Sequence, residues 1–436
     1  MELTGRVSLR DNRSLSKDEF ARASESCSAI RKLVDSRADF IAGKGLDPAI
    51  ALPGNNWDPE ADQPFLNRYR HIVAAKYEVI NRLRLYAQFS SFDLVTQSMV
   101  TGGREVPEIP EDFDERFEKQ FPTPDHWIDR YRMITRFVPI DIRARFPRVL
   151  GEIGWEIEGH PVNHDVYAYQ ERINLMFESG LIDELRRRVR TNGSVRILEI
   201  GGGYGGLAHA LTGLLHGAVK YTICDLPESL LSSAIYLGVT HPRLGHRIYD
   251  GADKASLAVP DEWLGFRYVP NYMFDDFCEQ GESVDLAINT LSFPEMTEAQ
   301  VRYYGQRLKG LIGGGGVLFE QNEDGRWMGL LDCKSILAES LPCRHEILPK
   351  TIPVLSKGRA DLWSMEPFET IVSPERRPFN GAGLRMRLCL WRALCLVRAP
   401  GLGLVRLRQA LQAGLSPAAF RGLKKLWNLV GGRMKA

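Results

Sequence analysis

The spacing of apolar and polar residues divides the chain into stretches of different character. Near the start, Ser16-Lys17-Asp18-Glu19 has the pattern of a capping box, with Ile30, Leu33 and Val34 on one face beyond it. A helix is expected from there to about Ala42, stopped by Gly43 and Gly45. A second helix is expected after Pro64, where Phe65, Tyr69, Ile72, Val73, Tyr77, Ile80, Leu83 and Tyr86 recur at helical spacing. Pro107, Pro110, Pro122 and Pro124 punctuate a loop-rich connection before a further amphipathic helix near Asp125. From Val195 the rhythm changes to short apolar runs between helical stretches, which predicts a parallel sheet with crossovers. The expected strands are Arg196–Ile200, Lys220–Cys224, Arg267–Pro270, Leu286–Asn289 and Val317–Glu320. A helix is expected over Gln300–Leu311, closed by Gly313-Gly314-Gly315-Gly316.

These patterns predict an α/β protein: a mainly helical region over 1–150, a Rossmann-like sheet with helices on both faces over 151–375, and a helical tail over 376–436. The first region is a candidate acceptor-binding or dimerisation cap. A chain of 436 residues exceeds one ordinary core, and 44% hydrophobic with 25% charged residues excludes wholesale disorder. The first residues lack the charged-then-apolar pattern of a secretory signal, and no apolar run reaches the roughly 18 residues of a spanning helix. A cytoplasmic location is expected. Seven cysteines without a Cys-x-x-Cys pair read as reduced, buried thiols rather than a zinc site.

The densest chemistry lies in Ile197-Leu198-Glu199-Ile200-Gly201-Gly202-Gly203-Tyr204-Gly205-Gly206. A strand that ends in glycines and leads into a helix brings backbone N–H groups close to a ligand. Gly201-x-Gly203-x-x-Gly206 satisfies the dinucleotide fingerprint, and Asp225 stands at the tip of the next strand, where a ribose diol is usually held. NAD is therefore a rival ligand, and an NAD-dependent oxidoreductase the alternative enzyme. Glu199 separates the two, because an acid two positions before the first glycine suits a ligand with an ammonium group and no pyrophosphate. S-adenosylmethionine is such a ligand.

Together with that run, Asp225-Leu226-Pro227-Glu228-Ser229, Asn289-Thr290-Leu291-Ser292-Phe293-Pro294-Glu295-Met296 and Glu320-Gln321-Asn322 resemble a bacterial sugar O-methyltransferase family. The central part also resembles class I small-molecule O-methyltransferases, over roughly residues 150–325. The resemblance implies a class I methyltransferase sheet and transfer of a methyl group from S-adenosyl-L-methionine to a sugar hydroxyl of a surface polysaccharide or its precursor. It also implies that Gly201, Gly203 and Gly205 line the methionine portion, that Asp225 holds the ribose and that Leu226 flanks the adenine. Tyr272 and Met273 would cover the ring, and Asn289 would sit beside the sulfonium. In the plant-type enzymes the base is a histidine in the loop after the fourth strand. Here that loop has none, and Glu295 is the candidate base.

A second cluster, His160-Pro161-Val162-Asn163-His164-Asp165, offers His164 and Asp165 as a base-and-orienter pair, or as ligands of a divalent metal chelating a vicinal diol. No metal is otherwise indicated. Polar loop residues at a domain junction explain the cluster equally well.

The net charge of +1 hides an asymmetry: after Glu375 the chain has thirteen basic residues and no acidic one, leaving −12 (1 − 13) on residues 1–375. Leucines, tryptophans and arginines alternate at helical spacing over 381–436, so this tail could lie on an anionic membrane or dock on the protein or a second copy. No recognisable nucleic-acid-binding module accompanies it, which argues against DNA or RNA. A non-catalytic membrane-associated adaptor that retains the fold is the third reading.

Overall fold

The computed structural model describes residues 3–54, 69–86, 124–322, 330–352, 355, 358–373 and 378. The tail at 381–436 and residues 65–68 of the expected second helix lie outside them. Strand β1 (Leu3–Val7) precedes helix α1 (Lys17–Lys44). Ser16 starts α1 as read from the sequence: its hydroxyl accepts from Glu19 N at 3.2 Å while Glu19 Oε2 accepts from Ser16 N at 2.8 Å. Gly45 ends it in the left-handed region, φ 60°, where only a residue without Cβ is unstrained. Ile30, Leu33, Arg37 and Ile41 form its buried stripe.

The single helix expected over residues 65–86 is broken within its described part into short turns, among them Tyr77–Ile80 and Leu83–Tyr86. Ala75 has φ 53°, a conformation that interrupts the helical ladder whatever the spacing of apolar side chains.

Helix α2 (Pro124–Thr135) leads to the hairpin β2 (Gly154–Ile157) and β3 (His160–Val162), and β1 pairs antiparallel with β2. Helix α3 (His164–Glu178) follows, N-capped by Asn163, whose Oδ1 accepts from Val166 N. It is buried almost all round and carries seven buried polar residues, which makes it the central helix of the molecule. Then come α4 (Leu181–Asn192), β4 (Val195–Ile200), α5 (Gly206–Leu214), β5 (Val219–Asp225), α6 (Pro227–Thr240), β6 (Gly245–Ile248), β7 (Gly265–Pro270), β8 (Leu286–Thr290), α7 (Glu298–Leu311), β9 (Val317–Gln321), β10 (Cys343–Glu346) and β11 (Ala360–Ser364).

The main sheet has the order β10-β11-β9-β8-β4-β5-β7-β6. Its six strands from β9 to β6 are parallel, and β11 runs antiparallel to both β9 and β10. All five expected strands and the helix at 300–311 are present. Three strands of this sheet were not legible. β6 and β10 are short edge strands without an apolar run, and β11 carries a fully buried Asp361 at its second position. One contiguous apolar core joins residues of α1 and the 69–86 segment to both faces of the sheet.

Two histidines clasp α5 to the end of α6. His209 Nε2 faces the Arg145 carbonyl oxygen at 2.9 Å and its Nδ1 faces His241 Nε2 at 2.9 Å. A carbonyl only accepts, so His209 carries its proton on Nε2 and accepts from His241 on Nδ1; both rings are neutral. Burial pushes the pKa of His209 down to about 4 and that of His241 to about 3.

Candidate functional site

In a parallel sheet, side chains alternate between faces, so strand register assigns each polar group at the carboxyl edge to a side. Glu199 pairs with Ile223 of β5 and Ile288 of β8, placing Glu199, Tyr221 and Gln321 on one face, where Gln321 bonds Glu171 and Arg172 of α3. Cys224, Asn289, Glu320 and Asn322 lie on the opposite face, beside α7, where Cys224 Sγ is 3.9 Å from the Tyr304 hydroxyl. The edge thus presents two acidic faces separated by the glycine loop.

Glu199 is 2% exposed and accepts a 2.7 Å hydrogen bond from Tyr221 on Oε2. Burial raises its pKa to about 7, against the lowering effects of the Tyr221 bond and of Arg172. At the tip of β5, Asp225 is half-buried; its Oδ2 accepts from Gly203 N at 3.0 Å and its Oδ1 from Leu226 N at 2.7 Å. Burial raises it also to about 7 despite those bonds. Gly201, Gly203 and Gly205 all have positive φ. A Cβ on Gly201 would stand 2.3 Å from Ser292 Oγ, so the loop after β8 reaches the first glycine only because that position has no side chain.

Leu226 starts α6 beside Asp225. Tyr272 and Met273 form a single turn after β7, and both are buried. The Tyr272 hydroxyl donates to Leu33 O at 2.9 Å and Asn271 Nδ2 to Ala51 O at 2.9 Å. Residues of the first 54 therefore roof this end of the edge, a contact no pattern in the sequence foretold. Asn289 is saturated: Nδ2 donates to Ile200 O and Ser292 Oγ, while Oδ1 accepts from Phe293 N and Asn322 Nδ2. It ties together β4, β8 and the Asn322 segment. Beside it, Glu320 is fully buried, with Oε1 accepting from Asn322 and its pKa raised to about 7 by burial.

The structure brings Glu199, Gly201, Gly203, Gly205, Asp225, Leu226, Tyr272, Met273 and Asn289 to the carboxyl ends of four neighbouring strands. Glu295 ends a short turn after β8, before the Thr297 cap of α7. His164 and Asp165 start α3, and the hydrogen bond of Asp165 goes to Arg84 at 2.6 Å. Arg84 also holds Glu152 at 2.8 Å and lies over the Tyr204 ring of the glycine loop, 3.5 Å from its centroid. This pair thus meets the site from beneath the loop. Among the described residues no group of three His, Cys, Asp or Glu side chains is arranged to hold a metal ion. Sequence reasoning missed Arg84 and Arg172, and named Gln321 only within the Glu320-Gln321-Asn322 run. Arg172 stands among Gln170, Glu171 and Asn174, so no local signal set it apart.

A dinucleotide-binding sheet carries a sixth parallel strand beyond the fifth. Here the strand beside β9 is antiparallel, and the glycine loop is preceded by a buried acid. Fold and edge together define a Rossmann-like α/β protein, a mainly parallel sheet flanked by helices with an antiparallel strand beside β9. No family model matches the chain, and no curated protein does. Among solved structures it is similar to the S-adenosylmethionine-dependent methyltransferase SibL in its apo form, with 14% identity, 71% of each chain covered and a TM-score of 0.30. MNMC2 from Aquifex aeolicus matches with 13% identity over 57% of this chain and 82% of that one, TM-score 0.31. The mitomycin 7-O-methyltransferase MmcR matches with 13% identity over 77% and 98%, TM-score 0.24. Likenesses of this order carry no substrate to this chain.

Proposed function

We propose that this chain is an S-adenosylmethionine-dependent O-methyltransferase acting on a sugar hydroxyl of a bacterial surface polysaccharide or its precursor. The observation that carries the donor is the buried Glu199 beside the glycine loop, with Asp225 one strand away. An anion there repels a pyrophosphate and attracts the ammonium of a methionine moiety, and a second carboxylate beside the loop suits a diol. Gly201, Gly203 and Gly205 line the methionine portion, Leu226, Tyr272 and Met273 the adenine, and Asn289 holds the loop that faces the acceptor. The same acid and the antiparallel β11 speak against the dinucleotide alternative. Calorimetric titration with S-adenosylhomocysteine and with NADH separates them: binding of NADH alone would overturn the proposal.

The donor supplies a methyl group on a good leaving group for in-line displacement, so alignment provides much of the rate. The hydroxyl must still lose a proton. Glu295, in the loop after β8, is the proposed base, with His164 and Asp165 as the other candidates. Glu295→Gln is expected to lower kcat by roughly 10²- to 10⁴-fold with S-adenosylhomocysteine affinity unchanged. Unchanged turnover would return the role to the His164 pair. Glu320 Oε2 faces only the Lys334 ammonium at 3.7 Å, and Asn322 Oδ1 is a buried acceptor without a hydrogen-bond partner among the described residues, which favours an acceptor with hydroxyl donors. A basic 381–436 tail suits a glycan assembled on a lipid carrier at the membrane surface. Mass spectrometry of the native glycan, from cells with and without the protein, tests the acceptor. One CH2 less per unit is expected in the deficient cells, and an unchanged glycan would remove the sugar assignment.

A further inference from the structure

Arg172 is 5% exposed on the central helix α3, and its charge has no obvious use in holding the fold together. Its Nε donates to Gln321 Oε1 at 3.3 Å, and its guanidinium lies 5.5 Å from the centre of the Tyr169 ring. Among the described residues it has no carboxylate within ion-pair distance. A guanidinium cannot shed its proton to escape burial, so a buried and unpaired one is costly unless an anion arrives.

Three contacts fix where that anion would sit. Gln321 pairs with Thr290, one step beyond the row Ile200, Asn289 and Glu320, so Arg172 stands at the height of the first glycine. Register puts Gln321 on the same face as Glu199, and Arg172 is among the charges that Glu199 feels. Tyr169, beneath the guanidinium, presses against the loop: a Cβ on Gly206 would meet its ring at 2.4 Å. A buried cation and a buried anion thus flank one end of the glycine loop without being paired to each other.

We propose that Arg172 receives the α-carboxylate of the donor's amino-acid end, while Glu199 receives its ammonium. The inference rests on the donor reading above and adds the recognition of the amino acid as a zwitterion. One side chain of each sign reads both termini, which discriminates against a nucleoside lacking either. Gln321 and Tyr169 are positioning residues that hold the guanidinium at the loop. The rival occupant is an acidic group on the acceptor.

The test is a binding cycle on the full chain. Wild type and Arg172→Gln are titrated with S-adenosylhomocysteine, with decarboxylated S-adenosylhomocysteine and with 5′-methylthioadenosine, which lacks the amino-acid moiety. Arg172→Gln is expected to weaken S-adenosylhomocysteine by about 10- to 100-fold, the worth of a charge-assisted hydrogen bond. Binding of the two ligands without a carboxylate should be unchanged, and Arg172→Lys should restore part of the loss. Methylthioadenosine binding also reports that the variant is folded. Equal weakening of all three ligands would make Arg172 a merely structural residue, and unchanged S-adenosylhomocysteine affinity would give the site to the acceptor; either overturns the inference and leaves the donor standing. Failure of wild type to bind any of the three overturns the donor reading itself.

Discussion

Glu199 shows how much one residue decides. Its carboxyl group is buried, and its pKa near 7 means that the protonated form predominates in the free protein just below neutrality. The folded value lies above the ordinary 4.5, so its contribution to stability is present at low pH and is lost as pH rises through about 7. Donor binding runs the other way, because only the ionised form attracts an ammonium group. Affinity for S-adenosylhomocysteine should fall by about tenfold per pH unit between pH 7 and pH 5.5, and more if Asp225, also near 7, must ionise too. Glu199→Gln should abolish the slope of the Glu199 step and lower affinity at pH 7.5. Titrations at several pH values check both, and a flat wild-type profile would remove Glu199 from the site.

At the level of elements, five of the six parallel strands were legible because each is a short buried run bounded by glycine, aspartate or proline, whereas the edge strand β6 is not. The glycine loop and Asp225 were legible for the same reason, since chemistry at a strand end follows once the strand is placed. What was hidden lies in contacts between distant segments. Arg84 sits in Leu83–Tyr86, where its neighbours read as one apolar helical face, yet it is fully buried and joins Glu152, Asp165 and Tyr204. Nothing local marks a residue whose partners are 68, 81 and 120 positions away. Arg84→Ala would leave Glu152 and Asp165 buried without their cation and is expected to cost about 3–5 kcal/mol, measured by urea unfolding. A loss below 1 kcal/mol would mean that solvent reaches the cluster. Asp165 also illustrates why a motif underdetermines a role: in sequence it adjoins His164, while in space its carboxylate turns to Arg84.

For the molecule as a whole, the first helix and the sheet form a single unit. Arg37 of α1 pairs with Glu228, three residues beyond Asp225, and both side chains are nearly inaccessible. Arg37→Ala should lower stability by about 3 kcal/mol or more and weaken S-adenosylhomocysteine binding with it, because the orphaned carboxylate adds negative charge beside Asp225. Differential scanning calorimetry and titration on one preparation test this, and a stable variant with normal affinity would make the roof dispensable.

The clasp between His209 and His241 has a consequence for acid tolerance. Two imidazoles that share one hydrogen bond and lean on a backbone carbonyl have no room for a second proton. Each takes that proton near pH 6.5 once the chain unfolds, so acidification from there toward pH 4 draws the ensemble toward the open chain. Because His209 lies in the first turn of α5, directly after the glycine loop, the proton that opens this clasp acts on the element that carries the loop.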